Sequence, residues 1–231
     1  MSFEFLENSL KSVEAVIFDL DGTLYDFKGL PRCLVLNAPF QMFKIRAERE
    51  ARKSLKGCDL KNKAEWQQKF FELIAQFAKI PFEKAKNWYK DFYCPYMVKI
   101  LRKYYSVRPE ALEIFKNLKK ANIKIVVFSD YPLVKERLNA IGVNTEDLEY
   151  LVSAEDFGAL KPTPRPFLEI AEYLKIRPEN VLVVGDRMDT DGKGAKDAKM
   201  QFLHTESHKT PANDSIVSWK DFLEIVKRVI A

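Results

Sequence analysis

Short apolar runs rich in β-branched residues recur along this chain and constrain its fold more than any other feature. They are "AVIF" (15–18), "IKIVVF" (123–128), "YLVSA" (150–154), "VLVV" (181–184) and "QFLH" (201–204), each ended by polar or turn-forming residues. Apolar runs without polar alternation are the mark of strands buried on both faces, as in parallel sheets. Helical patterns lie between them. "PEALEIFKNLKKAN" sets Leu112, Phe115 and Leu118 on one face, "PLVKERLNAIG" ends on Gly142, and "TPRPFLEIAEYLKI" and "TDGKGAKDAKM" follow. Strand and helix alternate, which predicts an α/β fold with an open, doubly wound parallel sheet. A chain of 231 residues, 47% hydrophobic and 13% aromatic, can bury such a core and still carry a sizeable insertion.

The interval 28–104 has no comparable strand run. Trp66, Phe70, Leu73 and Phe77 stand there at i, i+4, i+7 and i+11, and "EKAKNWYKDFYCPYMVKILRKYY" continues in the same style. This spacing predicts a helical domain at 28–104 inserted after the first strand, with the α/β core formed by 1–27 and 105–231. The insertion holds 18 Lys and Arg against 7 Asp and Glu, a local charge of +11, while the rest of the chain carries −6. Such a charge raises the local concentration of anionic ligands. The aromatic stripe reads as a small helical core. In "KIRAEREARKSLKG" the i,i+4 pairs Arg46–Glu50 and Glu48–Arg52 read as a solvated helix face, against a nucleic-acid surface.

The polar residues that end the strands carry the chemistry. "VIFDLDGTLYDF" delivers Asp19 and Asp21 to the loop beyond the first strand, "VVFSDYP" delivers Ser129 and Asp130, "AEDFGALKPTPRPF" places Lys161 among prolines, and "VLVVGDRMDTDGKGA" delivers Asp186, Asp189 and Asp191. Each alone has an ordinary structural reading: Asp21-Gly22 as a turn, Ser129 and Asp186 as helix caps, Lys161 as a solvated lysine. Together they converge on the carboxyl edge of an open sheet, where such folds bind ligands. Carboxylate oxygens with a few waters suit Mg²⁺, which would draw together Asp19, Asp186 and a phosphate that otherwise repel. A carboxylate can attack phosphorus, and a second one two residues on can protonate the leaving alkoxide and then activate water. In that role the charges of Asp19 and phosphate are expected to raise the proton affinity of Asp21. Ser129 and Lys161 would hold the equatorial oxygens.

This set of motifs, a DxDGT strand end, a Ser, a Lys and a late GDxxxxD, resembles the haloacid dehalogenase superfamily over nearly the whole chain. The resemblance implies a Rossmann-like core with the strands ending at Asp19 and Asp186 side by side, and a mobile helical cap at 28–104. It implies Asp19 as nucleophile, Asp21 as general acid/base, Mg²⁺ held by the Asp19 carboxylate, the Asp21 backbone carbonyl and Asp186, and Asp191 supporting the metal or Lys161. Ser129, Asp130 and Lys161 become the substrate-binding residues. Asp21 favours phosphatases over true dehalogenases, which lack it. The sequence departs from the pattern at Asp130, where relatives often have asparagine, and at Lys199-Met200, where they often have glycine.

The implied activity is Mg²⁺-dependent hydrolysis of a small phosphate monoester through an aspartyl-phosphate. A phosphomutase similar to β-phosphoglucomutase shares the same aspartates and stays open as the alternative, while a receiver-like phospho-acceptor has roughly half this length. Sugar phosphates, phosphoglycolate and nucleotide monophosphates all stay open as substrates. Cys33, Cys58 and Cys94 are too far apart for a disulfide framework or zinc site, and His204 and His208 lack further ligands. Neither a signal-peptide pattern nor a run approaching the roughly 18 apolar residues of a membrane span is present, so a soluble, cytoplasmic protein is expected.

Overall fold

All five apolar runs become strands: β1 (Ala15–Phe18), β2 (Lys124–Ser129), β3 (Tyr150–Ser153), β4 (Val181–Gly185) and β5 (Gln201–His204). The computed structural model describes residues 3–213 and 215–230, so the outer bounds of the expected core, 1 and 231, lie outside it. The strands form one wholly parallel sheet in the order β3-β2-β1-β4-β5. β1 and β4 are buried along their entire length, as uninterrupted apolar runs require. The chain leaves β1 for β2 on one side and later places β4 on the other, so the order reverses at β1. That is the switch point at which an open α/β sheet leaves a crevice.

Helix α1 (Phe3–Ser12) precedes the sheet. Between β1 and β2 the chain is helical: α2 (Leu30–Asn37), α3 (Met42–Ser54), α4 (Lys63–Ala78), α5 (Phe82–Asn87) and α6 (Cys94–Tyr104), before α7 (Pro109–Lys120) returns to the core. A π-helical turn, Trp88–Tyr93, joins α5 to α6. The core continues with α8 (Val134–Ala140), α9 (Ala154–Phe157), α10 (Pro164–Leu174), α11 (Lys193–Asp197) and α12 (Trp219–Ile230). Helix α12 packs on α7 and α1, whereas α10 packs on α11. The helical insertion rests on the core through α6 against α8 and α4 against α9.

Two readings of helix faces need correction. Helix α7 buries Ala111, Ile114, Phe115 and Leu118, while Leu112 is exposed. The buried set keeps the i, i+3, i+4, i+7 spacing, and Leu112 lies about one residue out of phase with it. Likewise Glu48 and Arg52 are buried rather than solvated. Arg52 Nε donates to Glu48 Oε1 at 2.8 Å, Nη2 donates to the Tyr89 hydroxyl at 2.8 Å, and Nη1 donates across to the core at the Asp130 carbonyl, 2.6 Å away. Trp66 and Phe70 stack under this guanidinium with ring centroids 4.4 Å apart, so these rings belong to the helical core. Farther along the stripe Phe77 is exposed.

Candidate active site

Parallel register sets the ends of β1 and β4 level: Phe18 pairs with Val184, and the Asp19 N–H donates to the Val184 carbonyl at 2.9 Å. Beyond that point the chain turns at Gly22, whose φ is +97°. A Cβ there would sit 2.7 Å from Asp186 Oδ2, so glycine is needed both for the turn and for the approach of that carboxylate. Gly185 makes room for the close approach of Asp191, whose Cβ and Cγ would lie 2.6 Å from an added Cβ. Thr23 joins the two loops: its buried hydroxyl donates to Asp19 Oδ2 at 2.8 Å and accepts from the Asp186 N–H at 3.1 Å.

Lys161 is buried, and its ammonium lies between two carboxylates, 2.7 Å from Asp19 Oδ1 and 2.8 Å from Asp191 Oδ1. Burial opposes its charge, but these two partners hold its proton more tightly than a free lysine would. Asp130 Oδ1 accepts from the Lys161 backbone N–H at 3.1 Å and so anchors that loop. Asp19, Asp186 and Asp191 each present an oxygen, all within 4.8 Å of one another. Burial pushes the Asp19 carboxyl up to about 7, with Lys161 opposing and Asp191 and Asp21 adding. Burial and Asp19 push Asp186 up to about 6, and burial raises Asp191. Asp186 Oδ1 is buried with no hydrogen-bond partner among the described residues. Crowded carboxylates of raised proton affinity and an unpartnered oxygen fit a hard divalent cation.

Asp21 has the opposite surroundings. Tyr25 OH donates to its Oδ1 at 2.5 Å, Ser129 Oγ donates to its Oδ2 at 2.9 Å, and the buried Arg137 guanidinium pairs with it. Burial works against the charge, but Arg137 and these bonds hold the carboxyl below its usual range, opposite to the rise expected from its neighbours. Arg137 and Tyr25 carry no sequence signal of their own, since a lone arginine on a helix reads as a surface residue. Thr23, by contrast, is part of the quoted DGT.

Asp19, Asp21, Asp130, Lys161, Asp186 and Asp191 all line one cleft of about 500 Å³. Ser129 is fully buried behind Asp21, with its hydroxyl turned to that carboxylate. The insertion supplies an apolar wall with Leu30, Leu34, Tyr93 and Met97, and the loop after β5 contributes Ser207 and His208. Asp189 stands apart, paired with Arg187 and Lys56. His204 is buried, its Nε2 3.0 Å from the Asp186 carbonyl, where it supports the β4 loop. The three cysteines are free.

A family model for haloacid dehalogenase-like hydrolases matches residues 13–199, which include every strand but β5 and all four polar loops. The chain belongs to this family. It is accordingly a hydrolase built on the family's parallel-sheet core. It is 27% identical over 216 residues to a glyceraldehyde 3-phosphate phosphatase of Methanopyrus kandleri, covering 89% of this chain and 91% of that one. It is 23% identical over 225 residues to a phosphonoacetaldehyde hydrolase of Bordetella pertussis, covering 92% and 78%. Among solved structures, L-2-haloacid dehalogenase from Xanthobacter autotrophicus shares the fold with a TM-score of 0.62 at 17% identity, covering 93% of this chain and 98% of that one. Among the described residues no helix is long and apolar enough to cross a membrane.

Proposed function

We propose that this hydrolase is a phosphatase of small phosphate monoesters, with Asp19 as nucleophile and Mg²⁺ as cofactor. The observation that carries the reading is the Lys161 ammonium held between Asp19 and Asp191 beside the unpartnered oxygen of Asp186. A carboxylate, a fixed cation and an unpartnered carboxylate oxygen in one cleft support a nucleophile, a phosphate anchor and a metal ligand. The phosphatase names among its relatives support the same chemistry.

Asp19 and Asp186, with the Asp21 backbone carbonyl, would hold Mg²⁺, which when bound neutralises the phosphate and screens its charge from the carboxylates. Asp19 attacks phosphorus as the ester P–O bond breaks, and Asp21 gives the leaving alkoxide its proton. Water then surrenders a proton to Asp21 and attacks the aspartyl-phosphate, returning Asp19 and releasing phosphate. Lys161 bears on the equatorial oxygens, where charge is spread in the transition state, and Asp191 keeps it aimed. Ser129 acts through Asp21, to whose Oδ2 its hydroxyl donates. Residues 28–104 act as the cap, whose apolar wall receives the leaving group. A panel of phosphate esters assayed with Mg²⁺ and with chelator tests the reading: release of phosphate that stops with chelator is expected, and full turnover in excess chelator contradicts the metal assignment. Isomerised sugar phosphate in place of free phosphate would mark a phosphomutase.

A further inference from the structure

Arg137 lies on α8, eight residues beyond Ser129, and no part of it reaches solvent. One guanidinium there touches both groups that flank the phosphate site. Its Nη1 donates to Ser129 Oγ at 2.9 Å and its Nη2 donates to Asp21 Oδ1. Asp21 is its ion-pair partner among the described residues. A fully buried guanidinium is expensive, and an apolar side chain would pack this position at less cost, so the charge serves its partners.

The hydrogen bonds around Asp21 have a definite sense. A carboxylate oxygen offers about two acceptor positions. Oδ1 accepts from both Tyr25 and Arg137 and is full, whereas Oδ2 accepts from Ser129 alone and keeps one position open. Ser129 Oγ in turn accepts from Arg137 Nη1 and from the Tyr131 N–H at 3.1 Å, which fills its lone pairs and leaves its own proton for Oδ2.

We propose that Arg137 is a positioning residue that reserves Oδ2 of Asp21 for proton exchange with the leaving group and then with water. The assignment rests on Asp21 being the general acid/base. Arg137 holds Oδ2 ionised until the phosphate monoanion of the substrate delivers its proton there; as the O–P bond to Asp19 forms and the ester P–O bond breaks, that proton passes to the leaving oxygen. As water bonds to phosphorus and the Asp19 bond breaks, Oδ2 takes a proton from that water. Lysine is a poor substitute here, because its flexible point-charge ammonium lacks the planar fork whose two nitrogens meet Ser129 and Asp21 in fixed directions.

The test compares wild type with Arg137→Lys in single-turnover phosphorylation by an alkyl phosphate and by a nitrophenyl phosphate in Mg²⁺. The variant is expected to lose roughly 10- to 100-fold on the alkyl ester, part of what general acid catalysis contributes, with KM little changed. On the nitrophenyl ester, whose leaving group hardly needs a proton, the loss should stay under about threefold. Equal losses on both esters, or none, would overturn the assignment. Should Arg137→Lys fail to fold, thermal melting of Arg137→Met, Asp21→Asn and their double variant decides. Pairing predicts that the double variant melts above either single one, and a double variant melting below both overturns it. A wild type inactive on every ester would instead overturn the phosphatase reading and this assignment with it.

Discussion

Asp19 and Asp21 are separated by one leucine yet face opposite electrostatic surroundings. Burial and neighbouring carboxylates make the charge of Asp19 costly, as expected of a side chain that the proposed function assigns to chemistry rather than stability. Asp19→Asn should therefore abolish turnover while melting at or above wild type at pH 8. A melting point well below wild type would show that the carboxylate is structural. Asp21→Asn should behave differently, because it strands a buried guanidinium that has no other ion-pair partner among the described residues. Breaking such a pair costs about 3–5 kcal/mol. Urea unfolding of Asp21→Asn measures this, and a loss below about 1 kcal/mol would contradict the pairing. The Asp21 partnership was not legible in the sequence. The charges of Asp19 and phosphate could be anticipated from their spacing, but no pattern says that a helix eight residues past Ser129 points an arginine inward.

At the scale of elements, the sheet was legible because strands covered on both faces must be continuously apolar, although the run at 33–36, equally apolar, lies in α2. The strand ends were legible for the same reason, since each apolar run stops where a polar group is needed. Helix faces were less so: Leu112 fits an apolar stripe in sequence but lies beside the buried one. The Glu48–Arg52 pair has the spacing of a surface ion pair, and only the fold buries it under Trp66, Phe70 and Tyr131. Lys199 occupies a left-handed conformation with φ of 59°, a backbone position that favours glycine. The turn at Gly22 gives the sharpest prediction at this scale. Gly22→Ala meets both an unfavourable φ and the Asp186 carboxylate, so it should cost about 1–2 kcal/mol of backbone strain and weaken Mg²⁺ binding. Unaltered Mg²⁺ dependence of activity would show that the Asp186 approach does not matter.

At the scale of the molecule, the acidic cluster couples stability to pH and, on the proposed function, to metal. Asp19 and Asp186 bind protons more tightly folded than unfolded, up to about 7 and about 6. Their contribution to stability is full below about pH 4 and is lost as pH rises through those values. Without metal, the melting point of wild type should thus fall relative to Asp19→Asn between pH 4 and pH 8, by roughly 2–4 °C for each kcal/mol at this chain length. Mg²⁺ should restore wild type at pH 8 by binding the folded state. A difference between the two proteins that does not change with pH would mean that the Asp19 carboxyl is not perturbed. The central claim, that Asp19 takes the phosphoryl group, is tested most directly by trapping. Enzyme mixed with excess phosphate ester and Mg²⁺, quenched in acid within the first turnover and reduced with borohydride, should yield a peptide in which the aspartate at position 19 has become homoserine. The same mixture with chelator should leave that peptide unchanged. Rapid phosphate release with position 19 unmodified, or reduction at Asp186 instead, would contradict the account.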